Sequence, residues 1–421
     1  MSPLRSAFVI AFLIAGLLAF WPCTASAASR AEINASFRAW LESSVASDAA
    51  KRGVSKAVIK QALSGLTPDW TLADLTPPGQ TPREGPQRQA EFRGPARYFD
   101  ETRLRILAQN GRSRFNTWSR QLAEIESRFG VPPSIVVAIW GRESSFGAVR
   151  LPYSAIRTLA TEAFMGARKA HFYPELIDAL VILEKGHVTL DQMKSSWAGA
   201  LGQPQFLPSV FLASAVAFDG KGPPDIWRSV PDVLASIANV LKQNGWQPGV
   251  GWGFEVRVPA KVSCTLEGPD KGKTLAQWSA MGLTRADGSP IKATSHQEGQ
   301  QEGMHLLMPA GRFGPAFLVT DNFYVLKSYN ESDLYALFIS QLADRIRDNS
   351  GPFKAGFLDM GGFSRADVRA MQQRFEARGV DVGTADGLVG WRTRIAVGAW
   401  QEQHGLPATC FPDPSLLKAV R

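Results

Sequence analysis

In Val131-Pro-Pro-Ser-Ile-Val-Val-Ala-Ile-Trp-Gly-Arg-Glu-Ser-Ser-Phe-Gly147, two prolines suit the entry to a helix and Gly147 suits its exit. Val136, Ile139, Trp140 and Glu143 then share one helical face, at i, i+3, i+4 and i+7. A carboxyl group thus stands where the apolar stripe would place another hydrophobe. Desolvation by that stripe and the negative end of the helix dipole both predict a raised pKa for Glu143. An acid still protonated near neutral pH is what glycoside cleavage requires, because the leaving sugar oxygen must receive a proton. The plainer alternative is a last-turn glutamate paired with Arg142 or turned to solvent.

Further along, Ser195-Ser-Trp-Ala-Gly-Ala-Leu-Gly-Gln-Pro-Gln-Phe-Leu-Pro208 is dense in small residues and amides, and a helix is predicted from Ser209 to Phe218. Small residues let a ligand approach the backbone closely, and Gln205 can both donate to and accept from a sugar or an acetamido group. A tight helix–helix turn would have the same composition. Helical spacing also runs through Ser36–Leu63, Arg97–Phe129 and Val131–Asn244, and returns from Ser332 to Ile346. Proline and glycine crowd Thr76–Pro95, which predicts an extended surface segment. Over residues 246–325 the period changes. Phe254–Val258 and Ala316–Thr320 alternate or run β-branched between glycines and prolines, predicting a small β-rich insertion.

Gly-Arg-Glu-Ser-Ser-Phe-Gly147, followed by Ala198-Gly-Ala-Leu-Gly-Gln-Pro-Gln-Phe-Leu-Pro-Ser209 and by Tyr329-Asn-Glu-Ser-Asp-Leu-Tyr-Ala336, resembles the lytic murein transglycosylase B family over roughly residues 31–345. The resemblance implies a mainly α fold with a lysozyme-like helical catalytic core, over residues 28–348. It makes Glu143 the catalytic acid/base and places Ser196, Gln205, Phe206, Leu207, Tyr329, Asn330 and Tyr335 in the substrate groove, with Arg168 and Lys169 as a basic pair near the cleaved bond. Core packing is the alternative for the two tyrosines. The chain departs from the family at Val240, where an aromatic is common, and at Gln203-Pro204, which replaces an aromatic-Gly pair. Some relatives bind calcium after this region. In Asp219-Gly-Lys-Gly-Pro-Pro-Asp225, Lys221 and Pro223 stand where oxygen ligands would be needed, so no metal is expected.

The last sixty residues read as a separate unit after a Gly/Pro/Ser linker at 349–361. Ser364 is an N-cap candidate, Asp367 follows three residues later, and Val368, Met371 and Phe375 form a stripe closed by Gly379. Asp386-Gly387 and Gly390 form a turn before a helix from Trp391 to His404. Asp386-Gly-Leu-Val-Gly-Trp-Arg-Thr393 resembles the D-G-x-x-G-x-x-T turn of the three-helix peptidoglycan-binding domain, over about residues 362–421.

Arg5, the apolar run Ala7–Trp21 and Ala25-Ser26-Ala27 describe a secretory signal peptide at 1–27. The run is shorter than the roughly 20 residues of a membrane span, and Trp21-Pro22 before Cys23 does not suit a lipobox. A soluble periplasmic product with no stable membrane span is expected. Cys264 and Cys410 have no metal-ligand spacing. An oxidising compartment would permit a disulfide, but the two fall in separate predicted domains, and the sequence does not favour the pairing.

The net charge of +8 suits an anionic polymer, yet the basic residues are scattered, which argues against nucleic acid. Twelve tryptophans can serve either as core or as faces for sugar rings. Five isolated histidines without HExxH, and the lack of GxSxG, argue against metallopeptidase and serine-hydrolase chemistry. A hydrolytic glycosidase ordinarily needs two carboxylates, and only Glu143 is well placed; Glu162, Glu175 and Asp178 lie on helical patterns without a motif. The family resemblance implies an answer: the substrate's own C6 hydroxyl closes onto C1 of N-acetylmuramic acid, leaving a 1,6-anhydro end. It implies no cofactor, has peptidoglycan glycan strands as the partner, and leaves cell-wall synthesis or division proteins open as further partners. A goose-lysozyme-like muramidase and a non-catalytic wall-binding scaffold are the rival readings.

Overall fold

The computed structural model describes residues 29–73, 75–80, 95–291, 303–358 and 363–420. The expected signal peptide and residues 81–94 of the Thr76–Pro95 stretch lie outside the described residues.

Helix Pro133–Ser144 is the centre of the main core. Residues 134–141 are all buried, so the helix has no solvent face. The apolar stripe read from the sequence is therefore one side of a helix that is covered all round. Its neighbours are helices Glu101–Thr117, Val230–Gln243 and Asp333–Asp348. Beside this group, helices Ala155–Met165 and Lys169–Glu184 pack together, and Pro208–Ser214 lies against the second of them. Glu175 caps that short helix, accepting from both the backbone N–H and the hydroxyl of Ser209. Asp178 pairs with Arg52, and Glu162 is fully buried. The helix expected to reach Phe218 stops at Ser214, because the backbone N–H groups of Val216 and Phe218 donate to Ser236 and Asp232 instead.

The insertion holds a four-stranded antiparallel sheet in the order Thr284–Arg285, Gly253–Arg257, Ala316–Val319, His305–Leu307. Ala316–Val319 is buried on both faces, and its alternation divides two cores. Phe317 and Val319 join Leu307 in the main core, while Ala316 and Leu318 join Leu306, Phe254 and Trp278 in a second one. The sheet is thus a partition between the helical body and a satellite core.

Three helices, Arg365–Ala377, Trp391–Gln403 and Pro414–Ala419, enclose Val368, Met371, Phe375, Val397 and Leu416. This unit is docked. Cys264 and Cys410 form a disulfide with Cα atoms 6.1 Å apart, contrary to what the sequence favoured. The reason is tertiary: helix Trp391–Gln403 packs on the turn Cys264–Leu266, and Arg312 donates from its backbone N–H to Thr409 O and from Nε to Ala408 O. Residues 349–358, expected as linker, pack down too. Phe353 meets Phe99 and Phe317, Phe357 stacks on Phe99, and the N–H groups of Lys354 and Ala355 donate to Glu255.

Candidate active site

Glu143 sits half-buried in the last turn of its helix, and the chain leaves that turn through three successive left-handed residues, Ser145, Phe146 and Gly147. The reversal folds the Phe146 ring edge-on against Trp140, at 5.4 Å between centroids. A Cβ on Gly141 would lie 2.5 Å from that ring, so the glycine two residues before Glu143 is a packing requirement. Ser144 Oγ accepts from Gly147 N–H and closes the turn.

Tyr335 reaches Glu143 from the first turn of helix Asp333–Asp348, where its own N–H donates to the N-cap Ser332. Its hydroxyl donates to Glu143 Oε1 at 2.5 Å. The Tyr329 ring lies parallel to it, 6.4 Å away, and donates its own hydroxyl to Pro204 O at 2.7 Å. Both rings pack in the main core, and their hydroxyls engage Glu143 and the adjoining loop at Pro204. Burial first, and then the charge of Glu143, push both phenols well above the ordinary tyrosine range. Tyr335 is therefore a neutral donor at every physiological pH. Arg142, whose guanidinium lies over the rings of Tyr98, Tyr335 and Phe338, adds a positive charge felt at Glu143.

The small-residue segment forms a loop closed by reciprocal backbone bonds between Leu201 and Phe206. Gly202 has φ +60°, and a Cβ there would meet Ile226 O at 2.6 Å. Gln205 is also left-handed, and its amide nitrogen donates to Gly202 O. Ser196 Oγ accepts from Ala200 N–H, Phe206 is buried against the Tyr329 ring, and Leu207 is the N-cap of helix Pro208–Ser214. Gln203, read from the sequence only as a departure, ties the loop to helix Pro133–Ser144. Its Oε1 accepts from Trp140 Nε1 at 2.8 Å, and its Nε2 donates to Trp227 O. Gln203→Leu should leave the indole N–H unpaired and cost about 1–3 kcal/mol, read as a lowered melting temperature.

A cleft of about 1370 Å³ opens at Glu143. Asn330 lines it, as does the exposed Trp197. Its far wall is the C-terminal unit, through Arg365, Trp391 and Arg394 among others. The sequence carried no sign of this. Ser196, Gln205, Phe206 and Leu207 belong to the adjoining loop and do not line the cleft, and neither do Arg168 and Lys169, exposed at the start of helix Lys169–Glu184. Arg168 rests over the Phe172 ring. Val240 is buried within its helix. Asp219 accepts from Lys221 N–H, Asp225 engages Trp227 and Arg228, and among the described residues no group of three or more His, Cys, Asp or Glu is placed to hold a metal.

Residues 36–344 match the family model of the transglycosylase SLT domain, and residues 364–420 match a model of a peptidoglycan binding domain. Membrane-bound lytic murein transglycosylase B of Escherichia coli K12 is 30% identical over 241 residues, covering 56% of this chain. The match spans 63% of that relative's length. SltB3 of Pseudomonas aeruginosa, solved in complex with NAG-anhNAM-pentapeptide, superposes with a TM-score of 0.77 at 35% identity, covering 91% of this chain and 99% of that one. SltB1 of the same organism superposes with a TM-score of 0.52 at 27% identity, over 63% of this chain and 85% of that one.

Proposed function

Because the chain belongs to the transglycosylase SLT domain family, we propose that it is a lytic transglycosylase that cleaves the MurNAc-GlcNAc β-1,4 bond of peptidoglycan and leaves 1,6-anhydro-MurNAc ends. Residues 28–348 would carry catalysis and residues 362–421 would hold the wall. Glu143 first donates its proton to the glycosidic oxygen, and the bond from C1 to that oxygen breaks. The resulting carboxylate then takes the proton of the MurNAc C6 hydroxyl, whose oxygen bonds to C1. Glu143 ends protonated, and water is not consumed.

The observation that carries this reading is one carboxyl, held by a tyrosine hydroxyl, opening on a cleft of about 1370 Å³. Three other carboxylates line that cleft. Asp333 is engaged by Lys327 and Arg394, Asp386 accepts from Leu388 N–H, and Glu331 is exposed. With Asp333 and Asp386 so engaged, Glu143 is the carboxyl to which we assign both proton transfers. A neutral donor on Glu143 suits a group that must pass through both protonation states, because it steadies the carboxylate formed midway. Asn330 and Trp197 in the cleft would bind the strand, with Tyr329 and Tyr335 supporting it; Ser196, Gln205, Phe206 and Leu207 would act by shaping the adjoining loop, and Arg168 and Lys169 would meet a strand only beyond the cleft. The N-terminal residues 1–27 support export to the periplasm, where this substrate lies, and no helix among the described residues is long and apolar enough to cross a membrane.

The test is mass spectrometry of fragments released from purified sacculi. Anhydromuramyl ends are expected. Reducing ends would indicate a hydrolase, and sacculus binding without release would indicate a scaffold. Tyr335→Phe should lower kcat for release by about 10- to 100-fold while leaving the protein folded, since one preorganised hydrogen bond to the reacting group is lost. Initial rates with KM determined in parallel check this, and an unchanged kcat would remove Tyr335 from the machinery.

A further inference from the structure

The C-terminal domain reaches the catalytic apparatus through one buried arginine. Arg394, on helix Trp391–Gln403, is 2% exposed. Its Nε and Nη2 donate to Glu267 at 2.9 and 2.6 Å, Nη2 also donates to Asp333 Oδ2 at 2.8 Å, and Nη1 donates to Val389 O. Glu267, in the β-rich insertion, is fully buried and also accepts from Met308 N–H. Asp333 offers its other oxygen to Lys327 Nζ at 2.6 Å. Two cations therefore neutralise two carboxylates, and the four residues come from the insertion, the catalytic body and the C-terminal domain. A planar guanidinium can serve both carboxylates as a fork; an ammonium cannot reproduce that geometry.

The position of Asp333 gives this cluster a catalytic consequence. It is the first residue of helix Asp333–Asp348, directly after the N-cap Ser332 that binds Tyr335 N–H. Tyr335, two residues on, carries the hydroxyl that holds Glu143. We propose that Arg394 is a positioning residue for the reaction: by clamping Asp333 it fixes the first turn of this helix, and with it the Tyr335 hydroxyl and the Glu143 carboxyl. The wall-binding domain thereby sets catalytic geometry as well as holding substrate. Losing the guanidinium leaves Glu267 and Asp333 facing one another with a single cation, and the turn moves to relieve the repulsion. Misplacing a catalytic group by about 1 Å can cost on the order of 100-fold in rate.

The inference rests on the proposed transglycosylase activity, and its test keeps the two apart. Full-length Arg394→Met, Arg394→Lys and Asp333→Asn are compared with the unmodified chain for circular dichroism, sacculus binding, and kcat and KM of anhydromuramyl release across pH. Asp333→Asn keeps the Arg394–Glu267 pair, so it carries the test if Arg394→Met does not fold. The expected result is a kcat lowered about tenfold or more in Arg394→Met and Asp333→Asn, partly restored in Arg394→Lys, with KM within about twofold and the pH–rate profile displaced. Folded variants with unchanged kcat and pH profile overturn the proposal, as does a raised KM at constant kcat. Unfolding of all three variants would make the cluster a folding element alone and overturn it too. If the unmodified chain releases no anhydro ends, the functional reading itself fails; if it does and the variants match it, only the positioning role falls.

Discussion

Glu143→Gln is expected to abolish release of anhydromuramyl fragments, by at least about 1000-fold, while leaving the fold and sacculus binding intact. An amide has the size and shape of the carboxyl, and its oxygen can still accept from the Tyr335 hydroxyl that holds Oε1. The rest of the helix is anchored by Val136, Ile139 and Trp140, all at 1% exposure or less, and that packing does not require the charge. What the amide cannot do is exchange a proton. General acid or base catalysis contributes typically about 10²–10⁴-fold, and here one group would perform both steps. Initial rates of fragment release, measured beside sacculus binding, decide the matter. Residual activity above roughly a tenth of the original would place the proton transfer on another group, since no single carboxyl doing both tasks could be lost so cheaply.

How far the site could be read from the sequence depended on how local its determinants were. The bounds of the Glu143 helix were legible because prolines and glycine lie beside it in the chain, and the helix indeed runs Pro133–Ser144. The N-cap at Ser364, with its reciprocal bonds to Asp367, was legible for the same reason. The full burial of residues 134–141 was not, because an apolar helix face says nothing about how many neighbours will surround it. The three-motif resemblance singled out Tyr335, but its bond to Glu143 spans 192 positions and exists only once two helices have packed. Gln203 could be read from the sequence only as a departure from a familiar pattern; that its amide satisfies the indole of Trp140, 63 positions earlier, is again a product of packing. The cleft's far wall was not legible, since the docking of the C-terminal helices depends on Glu267 and Arg312, which do not stand out in the chain, and on Cys264, whose partner 146 positions away the sequence did not favour.

That docking surface makes the second large effect one on stability. Replacing both Cys264 and Cys410 by serine should lower the temperature at which the C-terminal domain undocks or melts by roughly 10 °C or more. The bridge closes a sequence separation of 146 residues, and chain entropy alone assigns a loop of that order about 4–5 kcal/mol. For a unit of this size, each 1 kcal/mol shifts the transition by about 4–8 °C, although native-state relaxation usually reduces the full figure. Both sulfurs are buried against helix Trp391–Gln403, where a Cβ on Gly398 would already collide with Cys410, so the serine hydroxyls would enter an apolar site without room to rearrange. Differential scanning calorimetry of the variant, and of the unmodified chain under reductant, measures the change. At 25 °C, kcat should stay within about threefold of the original, because Arg394 still clamps Asp333 and ligation of the cleft wall does not pass through the sulfurs. An unchanged melting profile would assign the docking to the buried Arg394–Glu267–Asp333 cluster and the Arg312 contacts alone. A lowered transition with unchanged turnover would separate the two devices by function: the disulfide would hold the domain in place, and the ion cluster would set the geometry of the site.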